Sequence, residues 1–459
     1  MEKIENHSEI KDFTKGNLTS QLIKFAIPML LSSLMMVLLN STDLIVVGYK
    51  LGKVGTSAVT IGGSVAMFLN AFIGGFSSAA QVIIAIMVGS GEKRKISKFV
   101  STMCGFIVVA GVISMAIMIP LTNTMLSLLN TPQEAYQGAY EYAIICLCGI
   151  LPIYAYHIIS AIVRGMGNSK HPFMFIAIAC GLNILLDIIF VLGFGMGAGG
   201  AALATVIAQL ISVVFSVIFL IKKRKEFELT IKPRDFFRWD KRYLTKFLKL
   251  AIPMAINNSA IQIAGMVISS LTNDFGVSVS AFAGIRSNIA ITVDLMLGAI
   301  ATSGAMLIGQ NIAQGNVKRV NGTLLRVGII TLASSAVLII LFLLFPIGIF
   351  SIFTKEKAVL DIVYPYLPIL IFSFVNAGIR PITRALIDGS GNKHINLITA
   401  LLDAIVARIG FALIFGVWLD LGYLGFWFGA TLAEVVPILI GVVFYISGKW
   451  KILRHKDDI

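Results

Sequence analysis

The sequence predicts an all-α polytopic membrane protein, with twelve transmembrane helices in two pseudo-symmetric lobes of six. Three observations carry this. The 459 residues are 57% hydrophobic and 13% charged, whereas a soluble domain is nearer half apolar and a quarter charged. Apolar runs long enough to cross a hydrocarbon core of about 30 Å recur along the chain. The two halves also repeat each other, motif by motif.

The first six runs fall at 20–47, 58–88, 98–120, 138–162, 172–195 and 199–221. The second six fall at 247–273, 280–311, 322–345, 361–386, 395–418 and 424–447. The polar stretch before the first run lacks the apolar core of a signal peptide, so that run is read as an uncleaved anchor. Lys and Arg gather in alternate loops, at Lys93-Arg94-Lys95, Arg164 with Lys170, Lys222 to Lys225, Lys318-Arg319, Lys393, and Lys449 to Lys456. By the positive-inside rule both termini are cytoplasmic, in a multi-pass protein of the cell membrane. The same clustering accounts for the net charge of +14 and argues against nucleic acid as a partner.

Ala26-Ile-Pro-Met29 recurs as Ala251-Ile-Pro-Met254, and Gly91 with its basic cluster is answered by Gly315. Gly165-Met-Gly-Asn168 is answered by Gly389-Ser-Gly-Asn392, and Ala204-Thr205 by Ala430-Thr431. A repeat of six spans gives both halves one topology, related by an axis along the membrane normal. The chain therefore divides into a cytoplasmic segment 1–19, an N-lobe 20–221, a basic linker 222–246, a C-lobe 247–448 and a tail 449–459.

Asp43 stands in the first apolar run with no basic neighbour. A carboxylate at that depth costs at least ~2.5 kcal/mol and is a functional candidate by default. Asn183 and Asp187, four residues apart in the fifth run, share a helical face, and Thr205 in the sixth can join them. Two carboxylates, an amide and a hydroxyl suit a hard cation such as Na⁺, and paired carboxylates suit proton carriage. These four residues are the expected cation-coupling set, and the metal ligands if the ion is Na⁺. At the repeat offset Asp43 maps to Ile268, while Asn183 and Asp187 are expected to fall on apolar residues or glycine near Val406 and Gly410. The coupling site thus belongs to the N-lobe.

Pro28 and Pro253 open the first and seventh spans, where a missing N–H and a ring clash bend a helix. Asn40, Asn257, Gln262, Arg286 and Asp294 are candidates for a substrate cavity. Among the C-lobe charges, Arg380 and Arg384 are expected to snorkel, while Arg286, Asp294, Asp403, Arg408 and Glu434 either form ion pairs within the bundle, the favoured reading, or line the cavity. Tyr140, Glu141 and Tyr142 read as an aromatic belt, His157 as a satisfied buried histidine, and the four cysteines as free and buried. Gly195, Gly197 and Gly200 match GxGxxG but follow no strand, so they mark no nucleotide site. Without a Walker lysine loop or HExxH, neither ATP-driven transport nor enzyme activity is expected.

Pro28, Asp43 and Gly48, Gly91 with its basic cluster, Gly165-Met-Gly-Asn168 and Leu182-Asn-Ile-Leu-Leu-Asp187 together resemble the multidrug and toxic compound extrusion (MATE) transporters over essentially the whole chain. The resemblance implies export of amphipathic, cationic compounds in exchange for H⁺ or Na⁺, by alternating access in a monomer, with no cofactor. Asp43, Asn183, Asp187 and Thr205 match the N-lobe cation site of the DinF-like branch. The acid that the NorM-like branch carries in span seven is missing from Asn257-Asn258-Ser259-Ala260-Ile261-Gln262. The alternative is a lipid-linked glycan flippase of the same superfamily, which Arg286 and Arg408 would serve.

Overall fold

The structure is a computed structural model that describes residues 9–129, 131–229 and 239–451, without the side chains of Asn40, Lys53, Lys93, Arg94, Ala404 and Ile405. Asn40, proposed for the cavity, therefore lies outside the described side chains, as do parts of the linker and both termini. The helices run in order α1 (Leu18–Gly52), α2 (Val54–Gly89), α3 (Lys93–Leu128), α4 (Gln133–Cys148), α5 (Ile150–Gly165), α6 (Lys170–Gly193) and α7 (Gly197–Lys222). The second half follows with α8 (Lys241–Asn273), α9 (Val277–Ala313), α10 (Val317–Leu344), α11 (Val363–Ser390), α12 (Lys393–Trp418) and α13 (Gly422–Ile446). Among the described residues, eleven are long and apolar enough to span a bilayer, and the pair α4–α5 makes a twelfth. That span is broken: its two helices meet at 51°. The break falls at Gly149, where a Cβ would lie 2.2 Å from Val206 of α7.

The chain forms two compact units. One comprises residues up to Asp12 with Ile27–Ala251, and the other Phe13–Ala26 with the chain from Ile252 onward. The boundaries differ from the expected lobes in two ways. The first turns of α1 group with the second half, and the later division falls within α8, beyond the basic linker. Pro28 and Pro253 both lie inside continuous helices; the one non-helical residue between Leu18 and Gly89 is Gly52, at φ +60°. Many large side chains remain exposed along the spans, including Ile45, Val112, Leu325 and Val443, as lipid-facing surfaces require. α2 is the best covered of the spanning helices, with 72% of its most apolar window buried.

The repeat motifs have a structural basis. Gly91 and Gly315 both adopt positive φ, as do Gly167 and Gly391, ending one helix before the next begins. Asn392 then caps the following helix, its Oδ1 accepting from His394 N and Ile395 N, while Asn168, one residue before the N-cap Ser169, accepts from His171 N at 3.3 Å. These matched residues serve turns and caps rather than chemistry. The helices also share π-helical turns, at Ile188–Gly193 in α6 and at Ile414–Trp418 in α12. In the first unit the N-terminal segment is docked by Asn168 Nδ2, which donates to Glu9 at 2.8 Å. Lys223 stands 3.7 Å from the same carboxylate, and its hydrogen bond to Glu226 holds its ammonium above the usual lysine range.

Candidate functional site

Four helices of the first unit converge on Asp43. Leu39 of α1 packs with Tyr156 of α5 and with Phe175, Ile176, Ala179 and Cys180 of α6, which fixes the face carrying Asp43 against α6. α2 approaches α4 closely through Gly62, and this contact sets Tyr142. Asp43, Asn183 and Asp187 are fully buried, with Tyr142 and Thr205 nearly so.

The Asp43 carboxylate accepts from three neighbours. Tyr142 Oη donates to Oδ2 at 2.6 Å, Asn183 Nδ2 to Oδ1 at 3.2 Å, and Thr205 Oγ1 to both oxygens at 3.0 and 3.1 Å. Asn183 Nδ2 also donates to Thr205 Oγ1 at 3.0 Å. Asp187 lies against Asp43, close enough for a hydrogen bond between the two carboxyl groups when one is protonated, yet no donor reaches either of its buried oxygens, and Asn183 Oδ1 is likewise without a donor. Three buried oxygens are thus left over beside an organised carboxylate. A buried carboxylate without donors is stable only when neutralised, so the site can hold a proton or a small hard cation. The π-helical turn that follows Asp187 re-aims the helix at that point, a common device at functional positions.

Several expectations need correction. Tyr142 is no belt residue: it is buried and belongs to the site. Its signal in the sequence was the repeat, since Tyr366 stands 224 positions on. His157 is not satisfied, because its Nε2 is buried without a partner. Cys148 is exposed and Cys104 only partly buried. Arg380 does not snorkel freely; it pairs with Asp294 and lies 3.7 Å from Glu434. Arg384 is half exposed beside Asp388, and Arg408 pairs with Asp403 at 3.2 Å. Of the cavity candidates, Gln262 and Asp294 are exposed, while Asn257 and Arg286 are half-buried.

A polytopic helical protein of two like halves, with a sealed ionisable site inside one of them, is by class a membrane transporter and not an enzyme. The chain belongs to the MatE family, whose model matches residues 28–189 and again 253–414. The probable multidrug resistance protein YpnP of Bacillus subtilis is 28% identical, over 96% of this chain and 98% of its own length. The probable multidrug resistance protein NorM of Thermotoga maritima is 26% identical over 94% of this chain and 93% of its own. A crystal structure of MATE in the bent conformation superposes with a TM-score of 0.87 at 23% identity, covering 97% of this chain and 98% of that one. This likeness shows the fold.

The two family matches are offset by 225 at both ends, which revises the internal comparison. Asn183 falls opposite Arg408, not an apolar residue or glycine, and Asp187 falls opposite Ala412. Asp43 falls opposite Ile268, which is buried in an apolar cluster with Phe282, Tyr366 and Trp427. The acids of the first half thus have no acidic counterparts at these positions.

Proposed function

We propose that this chain is a secondary antiporter of the cell membrane, exporting amphipathic cationic compounds in exchange for H⁺ or Na⁺. The carrying observation is Asp187, a buried carboxylate without hydrogen-bond donors beside the fully hydrogen-bonded Asp43. Such a pair takes up one positive charge readily and releases it when water enters. The substrate class is suggested by the names of the relatives, which are multidrug resistance and multidrug export proteins.

In the cycle, Asp43 and Asp187 exchange cation for substrate, and loading with H⁺ or Na⁺ shifts the N-lobe to release the compound outward by alternating access. Each net charge moved inward per cycle, beyond that of the exported compound, contributes ~2.3 kcal/mol per 100 mV, which sustains a gradient of roughly fortyfold. In this reading the protein works as a monomer in the lipid bilayer with both termini in the cytoplasm, and the resemblance of its N-lobe set supports the DinF-like branch. The flippase alternative is weakened because Arg408, one of its two arginines, is engaged by Asp403.

Asp43→Asn should abolish ion-driven efflux from proteoliposomes while leaving expression intact, and unchanged transport overturns the mechanism. Collapsing the pH gradient, and separately removing Na⁺, identifies the ion.

A further inference from the structure

Arg286, Asp294, Arg380, Asp403, Arg408 and Glu434 are six of the charged side chains within the spans of the C-lobe half. Five of them are in ion pairs. Arg286 has no carboxylate within ion-pair distance among the described residues, and its Nε is buried without a hydrogen-bond partner. Its guanidinium rests 5.5 Å from the centre of the Trp427 ring and within electrostatic reach of the Tyr366 phenol. Trp427 and Tyr366 are themselves fixed in an aromatic group with Phe282, at centroid distances of 5.3 to 5.4 Å. The guanidinium is therefore held on a rigid platform, hydrogen-bonded to the Tyr366 phenol and with its Nε donor unmatched, while the residue stays half-buried rather than sealed.

The repeat sharpens this. Tyr142 and Tyr366 are equivalent at the offset of 224 that relates Gly165 to Gly389. In the first unit that tyrosine addresses a carboxylate, Asp43. In the second it stands beside a guanidinium, and the position of Asp43 is taken by the apolar Ile268. The two halves thus present opposite charge beside the same tyrosine. Arg286 lies nine residues into α9, or ~14 Å along its axis from the helix start. At that depth a guanidinium with an unmatched donor and no carboxylate partner suits an oxyanion on an amphipathic molecule, and its geometry suits a carboxylate or phosphate in particular.

We propose that Arg286 is an oxyanion subsite of the C-lobe, which recognises the carboxylate of zwitterionic amphiphiles among the exported compounds. The proposal rests on the export reading and narrows its substrate class. Rhodamine 110 and rhodamine 123 provide the probe, since they share one aromatic body and differ as free acid and methyl ester. Binding to the purified full-length protein in neutral detergent is read by fluorescence polarisation, with no ion gradient present. Wild type should bind rhodamine 110 more tightly than rhodamine 123. Arg286→Gln should weaken rhodamine 110 by at least about tenfold and leave rhodamine 123 within about twofold, and Arg286→Lys should restore part of the loss.

Equal loss of both dyes in Arg286→Gln would mean that the guanidinium only supports the aromatic group, and overturns the proposal. So does a wild type with no preference for the acid. Short-chain phosphatidylglycerol is titrated as a competitor, with phosphatidylcholine as its control. If the anionic lipid binds in an Arg286-dependent way while the acid dye gains nothing over its ester, the subsite takes a lipid phosphate and the substrate assignment fails. Because no gradient is used, the outcome is separate from coupling. If gradient-driven efflux is missing altogether the export reading fails, while the dye preference stands or falls on its own.

Discussion

Tyr142 donates its hydroxyl to Asp43 at 2.6 Å, joining two residues 99 positions apart in the chain. The bond ties the acid on α1 to α4, the first arm of the broken span. A change in the charge of Asp43 changes this buried polar contact of α4, so the bond links the state of the acid to that helix.

Removing that donor alone is informative. Hydrogen bonds to charged groups contribute about 1.5–3 kcal/mol, equivalent to roughly tenfold or more in an equilibrium constant. Tyr142→Phe should shift the ion concentration for half-maximal efflux by about tenfold or more, with little change in melting temperature because the ring remains. Proteoliposome flux at varied pH and Na⁺ measures it, and an unshifted curve would separate Tyr142 from coupling.

Asp187 offers a different contrast. No neighbour donates to its oxygens, and an amide in its place can still donate to Asp43 as the protonated acid does, so the replacement keeps the one polar contact. Asp187→Asn should melt within a few degrees of wild type, yet lose the stabilisation that the coupling ion gives. Thermal melts with and without Na⁺, at two pH values, test this. A large drop in stability without ion would mean that Asp187 is structural.

These outcomes bear on what the sequence discloses. Span lengths, the repeat and the buried acids were legible because hydropathy and charge act locally and leave patterns. Asp43, Asn183 and Thr205 could be grouped for the same reason: a polar side chain in an apolar run must find a polar partner. Tyr142 was not legible in this way, since tyrosine is at home both in an interfacial belt and in a core. The packing of α4 on Gly62 decides which. The break at Gly149 was hidden because its cause, the nearness of Val206, is tertiary. Arg380 was misread as a snorkelling residue because its partners Asp294 and Glu434 come from distant spans.

The pair Arg408–Asp403 should behave as a buried ion pair. The side chains are 12% and 5% exposed, and removing one partner of such a pair costs about 3–5 kcal/mol, because the other charge is left buried. Arg408→Met should be strongly destabilised, whereas Arg408→Met combined with Asp403→Leu should recover much of the loss. Denaturation of the purified variants gives the double-mutant cycle, and additive losses would show that the two residues do not depend on each other.

The contact that places Tyr142 can be tested through two adjacent glycines of α2. A Cβ on Gly62 would lie 2.5 Å from the backbone oxygen of Ala139 and 3.1 Å from Tyr142 Cβ, so α4 would have to move. A Cβ on Gly63 would meet only the Tyr142 ring at 3.7 Å, an ordinary contact. Overpacking typically costs about 1–3 kcal/mol, while alanine in a helix otherwise gains roughly 0.5–1 kcal/mol over glycine. Gly62→Ala should therefore lower stability and also impair ion-driven efflux as Tyr142→Phe does, because displacing α4 lengthens the Tyr142–Asp43 bond. Gly63→Ala should be neutral or slightly stabilising and transport normally. Melting curves and flux for the two variants, side by side, decide the matter. If Gly62→Ala transports as well as Gly63→Ala, the close approach of α2 and α4 does not set the coupling site.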